Sequence, residues 1–322
     1  MLHRKIIFCG CLLLGKIAGG FESHYTELAS LLKNSACVLD SSITQHSVEA
    51  KKIFPQNSTH PIEIFGTIGY ANGNGKYYDS DGGIAFVGFD FSYDNFILKR
   101  TCAVGFFGGA AKHNIDYHYD HIKNGRLNIG FAGYYCNFHI WGFDVSTTSI
   151  LGFDTSHTNC QNLTYHGLDF DHFTHHHRIF HSKADIYYPW KWHGFKIGPN
   201  VALRSDSLKQ NGAKEWSQIP LRLQSIDGIV GIKCEKDSKL FYTHCFLGAS
   251  CDLRKHWSGG TVTIHNATED FTRSAFDGTQ LLLTTGIHFR YTESCFFNLH
   301  FSGRYGKKDK SSTLGITLNK IF

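Results

Sequence analysis

Apolar positions in this chain recur at every second residue. Ile62, Ile64, Gly66, Ile68 and Tyr70 alternate with Glu63, Phe65, Thr67 and Gly69. That is the period of a β-strand with one apolar face and one mixed or polar face. Towards the C-terminal end, Leu281, Leu283, Thr285, Ile287, Phe289 and Tyr291 oppose Gln280, Leu282, Thr284, Gly286, His288 and Arg290. The next run sets Phe297, Leu299, Phe301 and Tyr305 against Asn298, His300, Ser302 and Arg304. The final run sets Leu314, Ile316, Leu318 and Phe322 against Thr313, Gly315, Thr317 and Asn319.

Twelve such runs are predicted, at residues 62–71, 82–93, 96–109, 125–136, 139–154, 179–190, 195–205, 217–234, 239–253, 277–291, 296–305 and 312–322. Their connections are unequal. After even-numbered runs they are tight, as at Asp94 with Asn95, Asn137 with Phe138, and Thr292 to Ser294. After odd-numbered runs they are long and polar: residues 72–81, 110–124, 155–178, 206–216, 254–276 and 306–311. An even strand number with short turns at one end and long loops at the other describes a transmembrane antiparallel β-barrel, turns in the periplasm and loops at the cell surface. Runs of ten or more residues suit a tilted membrane-crossing strand better than a soluble one, which averages about five or six. Rings near the turns, Tyr187, Tyr188, Trp190 and Trp192 at one, Tyr93, Phe96, Tyr291 and Phe296 at others, suit a headgroup girdle.

Composition agrees with an all-β chain. Aromatics make up 15% of the 322 residues, Gly 33 and Phe 27 are high, charged residues fall to 18%, and the one Met is Met1. Strand formers are enriched over helix formers. Beyond Leu14 no stretch has the roughly 18 consecutive apolar residues of a membrane helix, so any span is made of strands. Residues 1–20 read as a cleavable signal peptide, with basic His3, Arg4 and Lys5, an apolar run over residues 6–14, and small Ala18, Gly19 and Gly20. Without Arg4, Lys5 and Lys16 the balance is 29 basic against 27 acidic residues, which leaves no nucleic-acid footprint.

Residues 62–322 resemble the autotransporter β-domain, the translocator module of type V secretion. The stretches that carry the resemblance are SDGGIAFVGFDF at 80–91, with Gly88 and an inward Asp90, FKIGPNVALR at 195–204, with Pro199, and FNLHFSGRYGKKDKSSTLGITLNKIF at 297–322. The resemblance implies an outer-membrane location with loops at the cell surface. It also implies contact with outer-membrane lipid, assembly by the barrel-assembly machinery with periplasmic chaperones, a monomeric barrel, and Phe322 as the assembly signal. Lys320 departs from the pattern, since an aromatic or apolar residue is usual there. Residues 21–61 read as a short passenger remnant or lumenal linker with helical tendency at residues 25–32 and 48–54, and the resemblance implies that part of this segment plugs the pore as a helix; a flexible surface tail is the alternative.

Candidate chemistry is sparse. His172, His175, His176 and His177, with His166 and His181 nearby, are the densest set of potential ligands, but adjacent residues of an extended segment cannot all face one ion. They are expected in a surface loop, with no metal site. His300 and Ser302 share a face, as a nucleophilic pair would, yet lumen polarity explains them without catalysis. Asp90, His288, Arg290, His300 and Arg304 are expected to face the lumen. Eight Cys outside the leader match no zinc framework, and their connectivity stays open. The expectation is therefore a non-enzymatic barrel, without cofactor, that anchors or displays a short N-terminal segment. The alternative is a small pore-forming, structural or adhesive outer-membrane protein.

Overall fold

The computed structural model describes residues 62–322 apart from 76–77, 98–99, 119–121, 166–167, 212–220, 239, 259–260, 265–266, 271–278, 293 and 308. The leader and the helical segment expected in residues 1–61 lie outside the described residues.

Fifteen strands follow in order: β1 Ile62–Gly75, β2 Tyr78–Ile97, β3 Arg100–Tyr117, β4 Ile122–Ile140, β5 Phe143–Tyr165, β6 Leu168–Tyr187, β7 Trp190–Trp192, β8 Phe195–Asn211, β9 Leu221–Asp237, β10 Phe241–Ser258, β11 Thr261–Ile264, β12 Ala267–Asp270, β13 Thr279–Arg290, β14 Cys295–Tyr305 and β15 Asp309–Ile321. Twelve of them form one closed antiparallel barrel: β1–β6, β8–β10 and β13–β15. Closure is double. β1 pairs with β15, from Glu63 opposite Ile321 to Gly75 opposite Asp309, and β6 pairs directly with β8. The three-residue β7 prolongs the β6–β8 hairpin past Pro189, and β11 and β12 form a separate hairpin.

The alternation becomes an inside-out polarity. In β1 the even positions Ile64, Ile68 and Tyr70 are exposed, whereas Glu63, Phe65 and Thr67 are buried. Leu318 is 62% exposed and its neighbours Thr317 and Asn319 are buried. A wall that buries Glu63 and Asp90 completely while presenting Ile68 and Val87 outward is not built for water on its outer face.

Several strand limits differ from the sequence pattern. The segments expected as long loops are mostly paired wall: residues 155–165 continue β5 and 168–178 open β6, with His175 opposite Ser156 and His177 opposite Asp154. Most of 72–81, 110–124, 206–211, 254–258 and 309–311 is strand as well. The physical reason is polarity. Above the apolar band both faces of a strand meet water or the polar lumen, so the hydropathy period fades while backbone pairing continues. At 23 residues and ~3.3 Å per residue, β5 far exceeds the ~9–11 residues needed to cross a bilayer.

At the other mouth the turns are tight. Asn137 and Phe138, expected as a turn, lie within β4 opposite Ala103 and Cys102. The turn is at Trp141 and Gly142, with φ of 50° and 85°, closing Ile140 onto Phe143. Positive φ at both central residues gives the turn whose twist matches a hairpin. His193 and Gly194, at 45° and 82°, repeat it between β7 and β8. Asp94 and Asn95 likewise fall inside β2, which runs to Ile97. The expected bend at Thr292 to Ser294 is present, with the Tyr291 and Thr292 amides donating to the Cys295 carbonyl.

Trp141, Phe143, Tyr188, Trp190, Trp192 and Tyr291 all project outward around this mouth, a one-sided aromatic girdle. Tyr187 and Phe296, expected among the girdle rings, face inward and are buried.

Candidate functional site

The lumen is where polar chemistry collects, and glycine sets its shape. Gly88 of β2 lies opposite Phe65 of β1, Gly109 of β3 opposite Phe86 of β2, and Gly133 of β4 opposite Phe107 of β3. A Cβ at Gly88 or Gly133 would strike the facing ring, and one at Gly109 would strike the Ala85 carbonyl and the Cβ of Phe86. Each inward ring therefore lies over the next strand's backbone, a close approach that glycine permits. The same pairing seats His113 on Gly82, His244 on Gly286 and His300 on Gly315.

Two walls of different character result. On β1–β4, Phe65, Phe86, Phe107 and Phe131 form a contiguous ring cluster with centroids 6.1 to 6.5 Å apart in edge and tilted contacts. Such contacts add to the burial of the rings themselves. Tyr135 sits at its lower edge, 6.4 Å from Phe65, and its hydroxyl donates to Asp90.

Next in the wall after β4, strands β5, β6, β8 and β9 carry a ladder of charge. His177 meets Asp154, and His181 Nδ1 lies 2.5 Å from Asp206 Oδ1. Arg204 Nε donates to Asp227 Oδ2 at 3.0 Å and lies 3.4 Å from Asp206. Further round, Asn200 donates to Asp185 at 2.8 Å, and Lys233 reaches Glu235 at 3.2 Å. On β13–β15, Arg304 Nη2 and Gln280 Nε2 donate to the two oxygens of Asp309 at 2.5 and 3.2 Å. Opposed signs at these positions keep buried charge compensated, because an unpaired buried ion costs several kcal/mol.

The residues singled out from sequence are placed as follows. Asp90, His288, His300 and Arg304 point inward and are buried. Arg290 reaches the tight-turn mouth, where Nη2 donates to Asp237 Oδ1 at 3.0 Å and the side chain is half-buried. Phe322 is exposed, and its amide donates to the Ile62 carbonyl at 2.9 Å, so the last residue caps the first strand. The Lys320 ammonium donates to Ser294 Oγ at 3.0 Å, bridging the final strand to the β13–β14 turn.

The histidine set divides between faces. His177 and His181 are buried in the lumen with carboxylate partners, whereas His176 faces out beside Thr155. The surface loop expected to hold them is therefore strand, and alternation separates neighbours that sequence places together. Among the described residues no group of three or more His, Cys, Asp or Glu is arranged to hold a metal. Glu63, Arg204, Asp227 and the phenylalanine cluster line the lumen without having been singled out from the sequence. The signal was present, since each sits at an inward position of its strand's alternation.

A closed twelve-stranded wall, apolar outside, polar inside and ringed by aromatics at one mouth, defines a membrane-spanning β-barrel of the bacterial outer membrane. The family model for the autotransporter beta-domain matches residues 62–302, and the chain belongs to that family. Among solved structures it is similar to the translocator domain of the autotransporter NalP from Neisseria meningitidis, with a TM-score of 0.64 and 12% identity over 90% of this chain and 98% of that one. It is also similar to the transport unit of the autotransporter AIDA-I from Escherichia coli, with a TM-score of 0.55 and 11% identity over 90% of this chain and 98% of that one. The beta domain of the Bordetella autotransporter BrkA gives 0.59 and 10%, over 81% and 100%. No curated protein matches the sequence. The chain is an outer-membrane barrel of autotransporter type.

Proposed function

We propose that this barrel anchors its own N-terminal segment in the outer membrane and displays it at the cell surface. The observation that carries the reading is where β1 starts. Ile62 is bonded to Phe322 at the mouth that holds the tight turns, the periplasmic side of such a barrel. A chain leaving Ile62 towards the surface has to pass through the lumen.

The lumen suits such a passage. Its phenylalanine wall offers apolar contact to one side of a threading segment, and the ladder from Asp154 to Asp227 offers hydrogen bonds and charge to the other. In this reading residues 1–20 direct export and are removed, and residues 21–61 form the short passenger or lumenal linker. Asp90, His288, His300 and Arg304 belong to the polar lining that hydrates or holds this segment, with Arg290 at its periplasmic rim. The barrel works as a monomer, with Phe322 read by the assembly machinery and periplasmic chaperones guarding the chain on the way. None of these steps calls for catalysis.

An epitope tag inserted after Ser35 tests the display. Antibody added to intact cells is expected to bind it. Labelling only after the outer membrane is opened would overturn the reading and leave a barrel with a periplasmic tail.

A further inference from the structure

Lumen-facing Arg204, Arg304 and Lys233 each meet a carboxylate; among the described residues one basic pair that faces outward does not. Arg178 of β6 lies directly opposite Lys209 of β8, and the register continues from Lys209 to Arg222 of β9. Arg178 and Lys209 are thus like charges opposed across one strand pair, and the backbone register carries the row on to position 222. Arg178 is exposed and Lys209 half-buried, on the outward face. Arg126 of β4 and His157 of β5, also exposed and outward, lie opposite each other nearby, and His176 is the next outward position to Arg178 on β6.

Like charges directly opposite each other destabilise a sheet. The outward residues beside Arg178 and Lys209 do not relieve them, since Thr155, Phe180, Ser205 and Ser207 are neutral; the acidic outward residue Asp116 lies diagonal to Arg126, on β3. Among the described residues neither Arg178 nor Lys209 has an ion-pair partner, in contrast to Arg204 with Asp227, Arg304 with Asp309 and Lys233 with Glu235 inside. The wall therefore presents a site that gains stability from an anion.

The level of the row says what kind of anion. Phe180, the next outward position on β6 towards the periplasmic end, is exposed and apolar, as is Phe153, the residue opposite Arg178 on β5. The cations stand where the lipid-facing band ends on the side of the long strands, the depth at which headgroup phosphates lie. Past Phe153 the same row runs through Gly130, Ala110 and Ala85. These small residues leave a shallow, open groove of about 640 Å³ in the outer wall, lined by Gly83, Ala85, Ala110, Gly130 and Phe153, with polar Lys112 and Asn128 at its edge. It opens towards the bilayer.

We propose that the outer face of β2–β8 at its extracellular edge binds a phosphorylated, acylated lipid of the outer leaflet, with headgroup phosphate on Arg178 and Lys209 and an acyl chain in the groove beside Phe153. Arg126, His157 and His176 flank the phosphate site. The lipid fills the groove and neutralises the row.

The test is native mass spectrometry of the full-length barrel in detergent, titrated with bisphosphorylated lipid A, with the same lipid dephosphorylated, and with inorganic phosphate. The phosphorylated lipid is expected to bind and to be displaced by salt. The double variant R178Q/K209Q is expected to lose about tenfold or more in affinity, a difference of ~1.4 kcal/mol or more. G130L, which fills the groove and leaves the charges, is expected to weaken phosphorylated lipid while sparing any phosphate binding. Heat-shifted gel migration of each variant reports folding separately. Equal binding of phosphorylated and dephosphorylated lipid, unchanged affinity in R178Q/K209Q, or saturation by inorganic phosphate alone would overturn the proposal. So would a dimer of this chain that dissociates in that variant, since the row would then serve a second copy.

Discussion

Arg204 stands between Asp206 and Asp227 with almost no exposure of its own, so its removal takes the guanidinium from both carboxylates, while Asp206 keeps its contact with His181. Arg204→Met is expected to lower stability by about 3 kcal/mol, read as a fall in the urea midpoint of the refolded barrel. Adding Asp227→Leu should recover part of that loss, because the second change removes a buried charge left without its partner. Gly88→Val tests the other wall. A Cβ there would stand 2.6 Å from the Phe106 carbonyl and collide with the Phe65 ring, so a cost of about 1–3 kcal/mol is expected in the same measurement. Asp90 could be read as inward from the sequence because alternation is local. Its partner Tyr135 could not, since it lies 45 residues away and the meeting depends on the registers of β2, β3 and β4.

At the scale of the element, the turns and the final strand separate folding from delivery. Gly142→Ala forces an L side chain to φ of 85° and is expected to cost about 1–2 kcal/mol, with a matching shift in the urea midpoint. Phe322→Ala should behave differently. The Phe322 ring is exposed and its wall contact is made by the backbone, so refolded stability is expected to stay within about 0.5 kcal/mol. If the ring is the assembly signal, the amount of heat-shifted barrel in outer-membrane fractions should nevertheless fall severalfold. Equal amounts of variant and wild type would remove that role. Strand existence was legible from hydropathy wherever one face met lipid, as in Leu281 to Tyr291. Above the membrane, in residues 155–159 of β5, both faces are polar and only backbone pairing with β6 marks the wall.

The whole barrel is expected to migrate anomalously on gels when unheated and to shift on boiling, because its twelve strands have no open edge from which to unzip. Deleting residues 22–60 is expected to raise conductance in planar bilayers if they occupy the lumen; unchanged conductance would place them elsewhere. The inside-out polarity, the count of twelve strands and the tight mouth followed from sequence alone, because the pleat sends successive side chains to opposite faces whatever the strand pairs with. Tertiary structure decided which inward groups meet. Thr67 and Thr317, 250 residues apart, share a 2.8 Å hydrogen bond, and the order of charge from Asp154 to Asp227 exists only in one set of registers. It also aligned Arg178 with Lys209 across β6 and β8, 31 positions apart in the sequence. A local period cannot specify such neighbours: a slip of one residue turns every side chain of a strand to the other face, and only closure of the complete wall selects the register.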